Sequence, residues 1–249
     1  MYQILKKSPR THKEAEGMKQ TEVVFTESMN LYDEPFTTSD VIAEYANVNR
    51  HTIQQLVKTH KHRLEKFGVI AFEMRKPPKN SKGGRPKKVY LFNEEQATLL
   101  ITFLDNTETV ADFKVELVRQ FYAMKTELLQ RQLIRTSGKV GRREMTDAIK
   151  ESSVIGGEWY VYSNFTKLLY KTALGFDVSK LRQARGVDKK ATPLDFLNEK
   201  ELSALNKRQN QLTTLIDLGM TYQEIKEVLN NKGVIYQTTL TIPEKVGKA

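Results

Sequence analysis

The sequence predicts a mainly α-helical protein with one small β-hairpin. Three observations predict it. Two short segments with helical apolar spacing, each preceded by a capping residue, flank a turn at "ANVN", residues 46–49. Two β-leaning segments, "FGVIAFEM" (67–74) and "KVYLF" (88–92), bracket the basic run "RKPPKNSKGGRPKK" (75–88). From residue 93 onward, apolar residues recur mostly at steps of three and four.

In chain order, residues 1–20 are polar and charged without periodicity. They predict a mobile tail that extends to residue 30, within which "TEVVF" (21–25) could form a short strand. Ser39 or Asp40 can cap a helix to about Tyr45, with Val41, Ile42 and Tyr45 as its apolar face. Asn47 suits a left-handed turn position, and Asn49 can cap a second helix that turns Ile53, Leu56 and Val57 inward. Ala43 supplies the small residue that lets two such helices cross closely. A helix-turn-helix followed by a hairpin has the order of a winged helix, with the basic run at the wing tip. Asn93, with Gln96 three residues on, marks a capping box for the next helix, and Glu94 and Glu95 suit its dipole.

Residues 109–134 predict a longer helix. Along it Val110, Phe113, Leu117, Phe121, Met124 and Leu128 step by three and four. That stripe fits either a dimer seam or the packing of the helix on its own domain. "RTSGKVGRR" (135–143) is small, basic and Gly-containing, which predicts a linker between a domain at 31–134 and a helical C-terminal domain at 144–234. Within the latter, a helix from about Asn198 to Leu218 closes at Gly219, and Thr221 with Glu224 forms a capping box. Residues 235–249 predict a loose tail.

Charge narrows the function. Lys plus Arg number 40 against 30 Asp plus Glu, a formal net charge of +10. That balance points to a polyanionic partner, most often nucleic acid. The chain has no cysteine, which excludes disulfides, thiolate catalysis and Cys-ligated zinc. No apolar run reaches the ~20 residues of a membrane span, and the N-terminus turns polar too soon for a signal peptide. The expectation is a soluble, intracellular protein.

The residues expected to contact double-stranded DNA fall in two groups. On the second helix, Asn49, Arg50, His51, Gln54, Gln55 and Lys58 lie opposite Ile53 and Leu56. Arg can bind guanine through two bonds, Asn and Gln can do so with adenine, and Lys can take phosphate. No Asp or Glu occurs between Ala46 and Leu64. On the wing, Arg75, Lys76, Lys79 and Lys82 precede Arg85, Lys87 and Lys88, and all suit phosphates. "GGRPKK" also has the Gly-Arg-Pro core of a minor-groove hook. His60 and His62 are two apart, diverge on a helix, and join the basic face rather than a metal site. Trp159, Tyr160, Tyr162, Phe165 and Tyr170 are expected in the core of the second domain. No phosphate-binding loop, dinucleotide fingerprint or HExxH is present, so neither an enzyme nor a cofactor is expected.

"TTSDVIAEYANVNRHTIQQLV", followed by "GRPKKVYLFNEEQATLLITFLDNTETVADFKVELVRQFYAMK", resembles the phage regulatory protein Rha family over residues 31–130. "MTDAIKES", "YSNFTKLLYKTALG" and "LGMTYQEIK" resemble the C-terminal segment of phage antirepressor-type proteins over residues 143–230. The first resemblance implies a temperate-phage or prophage regulator of lysogeny or host gene expression. The second implies an alternative: inactivation of a repressor or another host protein through the C-terminal domain.

Overall fold

The computed structural model describes residues 22–77 and 84–240. Lys79 and Lys82 of the wing, and the tail segments 1–21 and 241–249, lie outside the described residues. The fold is mainly helical with a small three-stranded antiparallel sheet.

Strand β1 (Thr37–Thr38) leads directly into α1 (Ser39–Tyr45). The cap of α1 is Thr38, whose side chain accepts from the backbone N–H of Val41, and not Ser39 or Asp40. Ser39 is buried instead, and its hydroxyl accepts from the N–H of Tyr90, tying α1 to the sheet. Asn47 takes φ +51° in the turn. Asn49 caps α2 (Arg50–Thr59), and its carbonyl oxygen accepts from His51 N–H at 2.8 Å. Ile42, Ala43, Ile53 and Val57 interlock in the first core, with Leu56 half-buried beside them. Full burial of an aliphatic side chain such as Ile53 stabilises by about 1.5–3 kcal/mol. Helix α3 (Lys61–Leu64) and a 3-10 turn (Glu65–Phe67) lead to β2 (Ala71–Arg75). Antiparallel β3 (Lys87–Phe92) pairs with β2 on one side and β1 on the other. Helix α4 (Glu94–Thr102) opens on the expected Asn93–Gln96 capping box.

Helix α5 runs unbroken from Glu108 to Glu151. Residues 135–143 are therefore helical and not an irregular linker. Their glycines serve close approach: a Cβ on Gly138 would lie 2.4 Å from Asn206 Oδ1, and one on Gly141 would lie 2.7 Å from Gln209 Nε2. With no side chain in the way, α8 (Glu199–Asp217) lies against α5. There Asn206 Nδ2 donates to Ile134 O and Gln209 Nε2 to Gly138 O. The stripe from Val110 to Leu128 is also corrected. Val110, Phe113, Leu117, Phe121 and Leu128 are buried in this chain, and Met124 packs on the first core. Those residues are filled by their own fold and form no dimer seam.

A second core assembles α6 (Trp159–Leu174), α7 (Val178–Ala184), α8 and α9 (Tyr222–Lys232) around the C-terminal end of α5. Phe165 and Tyr170 are buried there and Tyr162 packs against it. Trp159 and Tyr160 depart from the expectation, since they are 82% and 50% exposed at the start of α6.

Both supposed tails are partly anchored. Val23 and Val24 are buried, and their N–H groups donate to Gln120 Oε1 at 2.7 and 3.2 Å. Phe25 forms a bridge with Phe36. At the other end, Ile235, Tyr236 and Thr238 donate backbone N–H to the carbonyls of Thr172, Ala173 and Leu174. These are carbonyls of the last turn of α6, which lacks intrahelical donors for them.

Candidate nucleic-acid interface

The exposed side of α2 faces the same way as one surface of the β2–β3 hairpin. Between them runs a groove of about 480 Å³, lined by Arg50, Gln54, Met74, Arg85, Lys87 and Lys88 with Pro86. Among the described residues, no carboxylate lines it. The hairpin register places Phe72 opposite Tyr90 and Met74 opposite Lys88, so these four share a face.

The candidate residues are not equivalent. Gln54 borders the groove half-buried, while His51, Gln55 and Lys58 are exposed. His51 Nε2 lies 3.2 Å from Gln55 Nε2 one turn on. Asn49 holds the helix start with its carbonyl oxygen, so only its amide N–H groups remain for a partner. Arg50 is ion-paired with Asp40 of α1. Arg75 lies 3.8 Å from the other oxygen of Asp40 and also pairs with Glu73. Asp40 thus bridges the second helix and the hairpin and neutralises part of the basic face. Among the wing cations, Lys76, Arg85 and Lys87 are exposed. Lys88 differs, with its Nζ over the rings of Phe72 and Tyr90 at 3.9 and 4.6 Å. Stacking of this kind fixes the ammonium in place while leaving the charge intact.

Three features went unseen in the sequence. Asp40 was read only as a cap, although it is the acidic residue of a first helical turn ten residues before Arg50. The rings under Lys88 follow from strand register, which composition does not encode. His60 is the third: it stacks on Phe103 at 3.7 Å, and its Nδ1 accepts from Arg63 at 2.9 Å. It joins α2 to the end of α4 instead of adding to the basic face. Among the described residues, no group of His, Asp and Glu is arranged to hold a metal ion, and no helix is long and apolar enough to cross a membrane.

Among curated proteins no match is found. Residues 37–126, from β1 into the first half of α5, match the family model described as phage regulatory protein Rha.

Proposed function

We propose that the protein is a phage or prophage regulator that binds double-stranded DNA and controls transcription in the cytoplasm of a bacterial host. The α1–α2 pair with its hairpin acts as a winged helix. Helix α2 enters the major groove, where Gln54 and Arg50 meet base edges, and Arg85, Lys87 and Lys88 follow the phosphate backbone. The observation that carries this reading is the α2–hairpin groove, lined by cations and an amide with no carboxylate among its lining residues. Arg50 reaches a base by exchanging the Asp40 carboxylate for the neutral O6 and N7 acceptors of guanine. The test is selection of bound fragments from phage and host DNA by the full chain, repeated after deletion of residues 76–87. One enriched sequence is expected, bound more weakly and less salt-dependently after the deletion. Absence of any retarded band with the phage control region at low salt sinks the reading.

A second reading, an antirepressor-type action of the C-terminal half on a repressor or host protein, is favoured by one patch. Val154, Trp159 and Tyr160 are each at least half exposed where α5 gives way to α6. Aromatic residues of this kind anchor protein interfaces. Capture of the purified phage repressor by the full chain, lost on Trp159→Ala, is the expected outcome; undiminished capture excludes this patch.

A further inference from the structure

Helix α5 carries a second apolar stripe on the side away from its buried one. Val115, Val118, Tyr122, Leu129, Leu133 and Val140 are each at least half exposed. At 3.6 residues per turn they fall within a band about 60° wide, running about 38 Å along the helix. Thr126 and Thr136 occupy the turns between them. Scattered exposed apolar residues are ordinary, but six aligned on one helix face are a contact surface. The stripe is separate from the Val110–Leu128 set, which the chain's own core fills.

The two borders of the stripe differ in charge. On one side lie Lys114, Lys125, Lys139 and Arg143. On the other lie Glu108, Asp112, Glu116 and Glu144, with Arg119 as the exception, itself paired with Glu116 at 2.7 Å. Lys125 reaches Glu94 and Lys114 reaches Asn106, whereas Lys139 and Arg143 have no ion pair among the described residues. We propose that this stripe is the seam of a homodimer in which the α5 helices of two copies run parallel. A two-fold axis along the helices sets the basic border of each copy against the acidic border of the other. An antiparallel pair sets basic against basic and acidic against acidic. Border charges of this kind fix orientation in paired helices, while the apolar seam supplies the attraction.

Parallel pairing also puts both α2–hairpin faces at the same end of the dimer. If the DNA reading holds, the dimer reads an inverted repeat. The seam itself does not depend on that reading, and a failure to retard DNA leaves it standing.

Sedimentation equilibrium of the full chain tests it. The expected mass is twice the 28.7 kDa of one chain. Leu129→Glu with Leu133→Glu should give a monomer with unchanged circular dichroism, since both side chains are exposed in the single chain. The natural sequence has no cysteine, so Val140→Cys reports orientation. Oxidation should link it into a covalent dimer in a parallel pair. A monomer at every concentration, a dimer that survives the double glutamate variant, or a cross-link formed only between Val115→Cys and Val140→Cys chains overturns the proposal.

Discussion

The two halves of the molecule use their cations in opposite ways. Around α2 and the hairpin, Lys58, Lys76, Arg85 and Lys87 stand exposed. From mid-α5 onward three arginines are drawn inside and committed to the fold. Arg208 is 1% exposed and donates to the carbonyls of Thr172 and Gly233 at 3.0 and 2.6 Å and to Gln211. Arg185 pairs with buried Glu201 and also donates to Phe196 O. Arg131, in mid-α5, reaches the carbonyls of Leu197, Asp195 and Met29. Burial lowers the affinity of Arg131 and Arg208 for their protons, yet a guanidinium stays charged. A net charge of +10 therefore overstates what is available to a polyanion. What matters is where each cation sits.

The contrast can be broken most forcefully at Arg208. Arg208→Ala removes the guanidinium bonds to Thr172 O and Gly233 O and opens a cavity. It should lower stability by roughly 2–4 kcal/mol in urea denaturation, while DNA retention per folded molecule stays the same. An unchanged midpoint would show that this guanidinium is not part of the framework. Gln54→Ala should do the reverse. Stability is unaltered, and discrimination between the preferred and a scrambled site falls by about 1–3 kcal/mol in competition binding. Gly138→Ala separates a packed helix from a linker. Alanine favours an isolated helix by about 1 kcal/mol, so a linker position would gain or stay neutral. Here the new Cβ meets Asn206, and a net loss of about 1 kcal/mol in the thermal transition is expected. Lys87→Ala should weaken all sequences alike and reduce the salt slope of binding by about 1.

The smallest effect at neutral pH concerns Tyr170. Burial pushes its hydroxyl up to about 12, from an ordinary value of 10.0. In the unfolded chain it ionises near 10, so between pH 10 and 12 unfolding releases a proton that folding holds. Stability should fall as pH rises through that window, and Tyr170→Phe should flatten this part of the curve.

Local chemistry made much of the first half legible. The Asn49 and Asn93 caps and the left-handed Asn47 each act within a few residues, and each appears where the sequence places it. The errors are long-range. Gly138 and Gly141 read as breakers because the side chains that need their space, Asn206 and Gln209, lie about seventy positions away. Val23 and Val24 read as tail because their partner, Gln120, sits in α5. The inner stripe fits a seam as well as a core because periodicity gives the spacing of an apolar face, not the direction it points. At the candidate interface the residue types were legible, but Asp40 bridging Arg50 and Arg75 was not, since it depends on how α1 crosses α2 and meets the sheet.

The unbroken α5 has a mechanical consequence. At 1.5 Å per residue its 44 residues form a rod of about 66 Å, with the α2–hairpin unit at one end and the second core at the other. Arg131 clamps the middle of that rod to Met29 and to the 195–197 segment. The α2–hairpin unit and the second core are therefore joined by continuous helix and not by a hinge.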